Sequence, residues 1–198
     1  MSTGALLIVD VQNDFCPGGA LAVPDGGRVV MPLNRYAAYF RQKGLPVMAS
    51  RDWHPRESRH FKTNGGPWPE HCIQHTPGAD FHPQLELPES AIILSKGMDE
   101  LKDGYSVFEA QDAWHESFPD ILKKLQVKTL FIGGLATEYC VRSTVLDALK
   151  NGFVVYVLDD AVRGIGEAAC QGAMDAMTMA GAKKTTFMEI KQRGHQNV

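Results

Sequence analysis

The sequence predicts an α/β fold, in which a doubly wound, mainly parallel sheet of six strands carries helices on both faces. Short apolar runs alternate with segments of helical periodicity along the chain, as in parallel strands joined by crossover helices. The runs are apolar throughout instead of alternating with polar residues, which is typical of strands covered on both faces. The length of 198 residues suits one domain, so we expect residues 1–198 to form a single domain.

Each predicted strand is an apolar run, and each predicted helix has apolar residues at a spacing of three and four. The expected strands are residues 5–9, 46–50, 91–95, 128–133, 153–158 and 184–187. The expected helices are residues 29–41, 118–125, 138–151 and 166–180, and glycine ends three of them. The residues from Lys191 onward are expected to form a loose tail.

The composition argues against several classes of partner. The formal net charge is −3 and no basic block is present, so we expect neither nucleic acid nor an anionic membrane as a partner. No apolar run approaches the length of a membrane span, and we expect no secretion signal. The four cysteines show no pairing pattern, which indicates free thiols in a reducing cytoplasm. The apolar helix faces are compatible with a homo-oligomer and with a monomer.

A long irregular segment, about residues 53–90, follows the second predicted strand and is rich in proline, glycine, histidine and tryptophan. Loops of this length are either disordered or functional, and the histidines and aromatic residues favour function. Asp52 and His54 lie two residues apart on one side of an extended segment, and His60 and His71 follow. One aspartate and up to three histidines suit Zn²⁺, Fe²⁺ or Mn²⁺. The spacing alone is weak evidence for a metal site, because histidines are also common in surface loops.

Polar residues end three of the predicted strands, where ligands bind in a doubly wound sheet. They are Asp10, Lys96 and, just past the fourth strand, Cys140. Each alone is compatible with an ordinary turn or packing residue, but together they supply a nucleophile, a base and a cationic orienting group. Thr137 is placed to cap the helix that Cys140 opens. Backbone N–H groups and the helix dipole favour a thiolate there, so we expect the pKa of Cys140 below its ordinary ~8.5.

These motifs resemble those of the nicotinamidases (pyrazinamidases), a branch of the isochorismatase-like cysteine hydrolases. The resemblance covers nearly the whole chain in the same order. Asp10, Lys96 and the Cys140 segment mark the wider superfamily, whereas Trp68-Pro and the aspartate and histidine set are specific for the nicotinamidase branch. The segments that carry it are Asp10-Val-Gln-Asn-Asp-Phe, Asp52-Trp-His, Trp68-Pro-Glu-His-Cys, Thr76-Pro-Gly-Ala, Lys96-Gly and Gly134-Leu-Ala-Thr-Glu-Tyr-Cys-Val.

The resemblance implies a catalytic role for four residues. Cys140 corresponds to the nucleophile, Asp10 to the general base and acid, and Lys96 to the third catalytic residue. The family also has a non-proline cis peptide just before the residue that matches Ala136. That bond would turn the N–H of Ala136 toward the substrate, where it and the N–H of Cys140 would face the oxyanion.

The resemblance also implies a bound divalent metal ion, Zn, Fe or Mn. Asp52, His54 and His71 correspond to its ligands, and His60 corresponds to an additional ligand that some members have. The metal would anchor the substrate by its ring nitrogen, directly or through water. This is a positioning role, not the activation of a water molecule.

The implied reaction is hydrolysis of nicotinamide to nicotinic acid and ammonia through a cysteine thioester, and also of pyrazinamide to pyrazinoic acid, in NAD salvage. Phe15, Trp68 and Tyr105 are candidates for the walls of a pocket around a flat ring, and Leu21 is a further candidate. Ordinary packing is the alternative for all four. Two other functions compete: an isochorismatase or N-carbamoyl amidase on the same scaffold, and a non-catalytic metal-binding protein with an inert Cys140.

Overall fold

The computed structural model describes residues 3–193 and contains a six-stranded, all-parallel sheet in the order β3-β2-β1-β4-β5-β6. The predicted doubly wound sheet is therefore confirmed. The strands are β1 (Thr3–Val9), β2 (Val47–Asp52), β3 (Ile92–Lys96), β4 (Val127–Gly134), β5 (Val154–Val162) and β6 (Lys183–Thr185). The helices are α1 (Val30–Gln42), α2 (Phe118–Lys124), α3 (Arg142–Lys150), α4 (Glu167–Met179) and α5 (Phe187–Arg193).

Each face of the sheet has its own core, because successive residues of a strand point to opposite sides. Leu7 and Val9 of β1 pack with the buried residues of α2, α3 and α4. Leu6 and Ile8 of the same strand pack with those of α1 and α5. All four side chains are fully buried, which explains why the sequence of β1 is apolar without alternation. Among residues 3–193, no helix combines the length and the apolar character that a membrane span needs.

The C-terminal part departs from the prediction. β5 continues to Val162, past the expected end at residue 158. Its two aspartates, Asp159 and Asp160, are accommodated there by an ion pair and by hydrogen bonds. The Tyr36 hydroxyl donates to Asp160 at 2.6 Å, and the other carboxylate oxygen of Asp160 accepts from the N–H of Phe187 at 3.1 Å. Phe187 thereby begins α5 instead of ending a strand. The predicted loose tail is wrong for residues 191–193, which are helical, and its remainder lies outside the described residues.

The topology places a crevice at the carboxyl end of β1. This strand lies between β2 and β4, so the chain winds away from it in both directions, and such switch points are where doubly wound sheets bind ligands. Gly134, the last residue of β4, has φ +127°, and a Cβ there would lie 2.1 Å from the carbonyl oxygen of Val9. Glycine is therefore required for β4 to end against β1, at the edge where the polar residues gather.

Candidate active site and metal site

Lys96 is the centre of a buried polar cluster at the carboxyl edge of the sheet. It is the last residue of β3 and is 1% exposed. Its Nζ lies 2.8 Å from Oδ2 of Asp10, and it donates hydrogen bonds to Sγ of Cys140 at 3.3 Å and to Oδ1 of Asp52. It also donates to the carbonyl oxygen of Gly104 at 2.9 Å. The structure thus brings together the three residues that were predicted from three separate strand ends.

Asp10 is fully buried directly after β1, with a positive φ of 50° that turns its side chain into the cluster. Its Oδ1 accepts a hydrogen bond of 2.7 Å from the hydroxyl of Ser50, a residue that the sequence analysis did not identify. Burial raises the pKa of Asp10, although the charge of Lys96 opposes the shift. A carboxylate with a raised pKa is a stronger base than an exposed aspartate, and it lies beside a thiol.

Cys140 differs from the prediction in two ways. Residues Thr137–Val141 form a π-helical turn before α3, and the capping residue of this turn is Ala136 instead of Thr137. Burial raises the pKa of the Cys140 thiol well above its ordinary value, and the charge of Lys96 only partly opposes this shift. The expected low pKa is therefore wrong, and desolvation of the buried thiol is the largest cause of the rise. The thiol is protonated at rest, so its reaction requires a base, and an oxygen of Asp10 lies within 4.8 Å of Sγ.

Three histidines of the long loop converge next to this cluster. His54, His60 and His71 are buried, and one ring nitrogen of each lies within 4.8 Å of the other two. Asp52 Oδ2 lies 3.7 Å from Nε2 of His54 and 4.0 Å from Nε2 of His71, which is beyond hydrogen-bond distance. The aspartate thus faces the histidines with one oxygen while its other oxygen pairs with Lys96.

The chemistry of these side chains fits a divalent metal ion. Within residues 3–193, neither ring nitrogen of the fully buried His54 has a hydrogen-bond partner, which is costly unless another ligand is present. The ring nitrogens Nδ1 of His60 and His71 are held by Asp103 and by the carbonyl of Pro69, both at 2.8 Å. Burial lowers the pKa of His60 and lowers that of His71 to about 4, so both rings are neutral and able to coordinate a cation.

An aromatic pocket of about 390 Å³, including open solvent at its mouth, leads to Cys140. The four predicted wall residues all line it, and so does Ala136. Trp68 donates a hydrogen bond from Nε1 to the hydroxyl of Tyr105 at 2.8 Å, and Tyr139 packs edge-on against Trp68 with ring centroids 5.0 Å apart. The lining residues are Phe15, Leu21, Val23, Asp52, His60, Trp68, His71, Tyr105, Ala136, Tyr139, Cys140 and Ile165. The peptide bond between Leu135 and Ala136 is cis, as the family resemblance implies.

Several residues of the site were missed by the sequence analysis. Tyr139 is adjacent to Cys140, and that adjacency was an available signal. Gln12 clamps Asp52 by accepting from its N–H and donating to its carbonyl oxygen, both at 2.8 Å. The position of Gln12 two residues after Asp10 hints at this role. Ile165 and Asp103 come from loops that have no distinctive pattern, so no local signal identifies them.

The comparisons with known proteins agree with this geometry. A sequence model of the isochorismatase domain matches residues 4–189. A nicotinamidase of Escherichia coli (strain K12) is 38% identical over 203 aligned residues, covering 94% of this chain and 95% of that protein. The crystal structure of the pyrazinamidase of Pyrococcus horikoshii in complex with zinc is 46% identical, with a TM-score of 0.87, and covers 93% of this chain and 99% of that one.

A further solved structure is PnC1 from L. infantum in complex with nicotinate. It is 33% identical, has a TM-score of 0.82, and covers 93% of both chains. The family match spans nearly the whole sequence, and the matches to the E. coli and P. horikoshii relatives cover almost the full length of each relative. The chain belongs to the isochorismatase family of hydrolases, within its nicotinamidase and pyrazinamidase branch.

Proposed function

We propose that this protein is a nicotinamidase, an amidohydrolase that converts nicotinamide to nicotinic acid and ammonia in NAD salvage and also hydrolyses pyrazinamide. The observation that carries the proposal is the buried contact of Lys96 with both Asp10 and Cys140, at the floor of an aromatic pocket beside three histidines. The nicotinamidase of E. coli and the nicotinate complex from L. infantum support the same substrate class.

The reaction follows from the arrangement of the three buried groups. Asp10 takes the proton of the Cys140 thiol, and the sulfur attacks the amide carbon. Asp10 then returns the proton to the nitrogen as the C–N bond breaks, and ammonia leaves behind a thioester. The same carboxylate removes a proton from water, and the resulting hydroxide attacks the thioester. As the C–S bond breaks, nicotinic acid is released and Asp10 returns the proton to the sulfur of Cys140. Lys96 holds Asp10 in place and stabilises the developing thiolate by its charge.

The backbone next to Cys140 stabilises the oxyanion that forms in both steps. Ala136 and Cys140 line the pocket, and we assign their N–H groups to the negatively charged oxygen of the tetrahedral intermediate. One such donor contributes about 2.7–4 kcal/mol in comparable sites. Because these donors are backbone groups, their contribution depends on the conformation of the turn and not on the side chain of residue 136.

Asp52, His54, His60 and His71 would hold a divalent metal ion in this site. An ion bound there would supply an electrophilic anchor for the ring nitrogen of the substrate, and its role would be positioning. The donor set accepts Zn²⁺, Fe²⁺ or Mn²⁺. The zinc complex of the P. horikoshii relative supports zinc. Phe15, Trp68, Tyr105 and Leu21 then enclose a flat ring whose carboxamide points to Cys140.

Ammonia release tests this proposal, with nicotinamide, pyrazinamide and benzamide compared with and without a chelator. Benzamide matches nicotinamide in shape but lacks the ring nitrogen. We expect rapid turnover of the two heterocyclic amides, slow turnover of benzamide, and loss of the difference when the metal is removed. Turnover of an N-carbamoyl amide without turnover of nicotinamide or pyrazinamide would reject the proposal and assign the chain to another activity of the family.

The cellular location is part of the same proposal. The structure contains four free cysteines at positions 16, 72, 140 and 170, and a reactive thiol survives best under reducing conditions. We therefore assign the protein to the cytoplasm. Fractionation with an antibody against the chain tests this assignment.

A further inference from the structure

Three consecutive residues, Asp103–Gly104–Tyr105, form a strap across the site and contact three different parts of it. Asp103 Oδ1 lies 2.8 Å from Nδ1 of His60. The carbonyl oxygen of Gly104 accepts the hydrogen bond from Lys96 at 2.9 Å, and the hydroxyl of Tyr105 accepts the one from Trp68 at 2.8 Å. The strap thus reaches the histidine cluster, the catalytic lysine and the pocket wall in turn.

The conformation of the strap is fixed from within the site. Gly104 has φ +67°, and a Cβ there would lie 2.5 Å from the backbone nitrogen of Gly97, so the backbone of the strap packs directly on the end of β3. Lys96, which holds the Gly104 carbonyl, is itself fully buried. Asp103 therefore precedes a residue whose backbone is fixed, while its own side chain is 57% exposed and lies outside the core.

The contact of Asp103 determines which nitrogen of His60 faces the cluster. A carboxylate accepts a hydrogen bond and cannot donate one when ionised, so Nδ1 of His60 carries the proton. The lone pair is then on Nε2, the nitrogen on the opposite side of the ring. The His60 side chain is only 3% exposed and stacks on His54 with an interplanar angle of 17°, so the ring has little freedom to turn.

We propose that Asp103 is a positioning residue that sets the tautomer and orientation of His60 and thereby raises the affinity of the site for a divalent cation. The inference rests on the proposed function to the extent that His60 is a ligand there. Outer partners of coordinating histidines typically change metal affinity by about 10- to 100-fold. Asp103 acts through His60 and has no contact with the reacting groups, so its effect belongs to metal affinity and not to the chemical step.

Asp99 provides a matched control in the same segment. Its Oδ1 accepts from the N–H of Leu101 at 2.9 Å, and its Oδ2 lies 3.7 Å from Nζ of Lys102. Its side chain is 50% exposed, close to the value for Asp103. Asp99→Asn and Asp103→Asn remove the same charge from the same loop, but only Asp103 contacts His60. A difference in metal affinity between the two variants therefore reports the contact with His60 and not the general electrostatic effect of a negative charge in this loop.

The experiment measures Zn²⁺ and Mn²⁺ binding to the metal-free protein by competition with a chromophoric chelator. We expect Asp103→Ala to weaken binding by about 10-fold or more, Asp103→Asn to weaken it less because the amide oxygen still accepts, and Asp99→Asn to stay within about twofold of the wild type. ¹⁵N spectra of labelled histidine should show the Nδ1–H tautomer of His60 in the wild type and a mixture in Asp103→Ala.

Equal affinity of Asp103→Ala and the wild type would overturn the inference, and so would a weakening by Asp99→Asn as large as that by Asp103→Ala. Because binding is measured without substrate, either result leaves the proposed amidase activity intact. A wild-type protein that binds neither ion would overturn this inference together with the metal part of the proposed function. Ammonia release by the metal-free protein would then show that the amidase itself stands.

Discussion

Replacing Lys96 with methionine tests whether the buried cluster is held together by one cation. Lys96 is 1% exposed and neutralises both Asp10 and Asp52, so its removal leaves two buried carboxylates without a cationic partner. Methionine has a similar length and leaves little cavity. Removing one partner of a buried ion pair costs about 3–5 kcal/mol, and the Gly104 carbonyl also loses its donor. With a urea m value of about 2–3 kcal/mol/M, the denaturation midpoint should fall by roughly 1–2.5 M.

The assay is urea denaturation of the metal-free protein, because a bound cation would itself neutralise the carboxylates. Lys184→Met is the control, since Lys184 forms a surface ion pair with Asp159 at 3.1 Å that is worth about 0–1 kcal/mol. Adding Asp10→Asn to Lys96→Met should recover part of the lost stability, because it removes one of the two unpaired buried charges. The double-mutant cycle then measures the coupling between the two residues directly.

The defect should depend on pH in a defined direction. Burial already raises the pKa of Asp10 in the wild type, and removal of the lysine raises it further. A carboxyl whose pKa in the folded state exceeds its unfolded value of ~3.9 destabilises the protein at any pH above ~3.9. This destabilisation decreases as the pH falls toward ~3.9. Lys96→Met should therefore be closer to the wild type at pH 5 than at pH 8. A loss no larger than that of Lys184→Met, or a loss that is constant with pH, would refute this account of the cluster.

Three further predictions separate catalysis, metal binding and folding. Cys140→Ala should abolish ammonia release but leave metal content and nicotinate affinity within about twofold, and measurable turnover would contradict the nucleophile assignment. His54→Ala should lower metal content and raise the KM for nicotinamide by more than about 10-fold, whereas a normal metal content would exclude His54 as a ligand. Tyr36→Phe should cost about 1–2 kcal/mol in urea denaturation at pH 7, through the lost hydrogen bond to Asp160. Burial raises the pKa of Tyr36, so its stabilisation is complete below pH ~10 and falls above it by up to about 1.4 kcal/mol per pH unit. The difference between this variant and the wild type should therefore shrink at alkaline pH, and a constant difference would show that the hydroxyl does not titrate with folding.

The strands were predictable where burial on both faces demands a continuous apolar run, as in β1. The residues at the strand ends were predictable for the same reason, since a parallel sheet brings its carboxyl ends to one edge. The extension of β5 was not predictable from its own residues, because Asp159 and Asp160 lie inside a strand only through partners on α1, β6 and α5.

The π-helical turn at Cys140 also depends on distant contacts. The N–H of Thr137 donates to the carbonyl of Arg163 at 2.9 Å. The carboxylate of Glu138 accepts from the N–H groups of Ile165 and Gly166 at 2.8 and 3.3 Å. These bonds tie the turn to the loop after β5, and they carry Ile165 to the pocket rim. A local capping rule applied to Thr137 could not include a partner about thirty residues away, so the local prediction of an ordinary helix start was wrong.

The same limit explains why sequence reasoning found two sets of residues but not the link between them. Asp10, Lys96 and Cys140 were recognised as one group, and Asp52 with the histidines as another, because each group has its own chemistry. In the structure Asp52 belongs to both, with Oδ1 on Lys96 and Oδ2 facing His54 and His71. Lys96 holds the pKa of Asp52 well below its ordinary value against the effect of burial, so this carboxylate stays ionised beside the histidines. The lysine thus has two functions, one toward the thiol and one toward the cation site, and a substitution of Asp52 must disturb both.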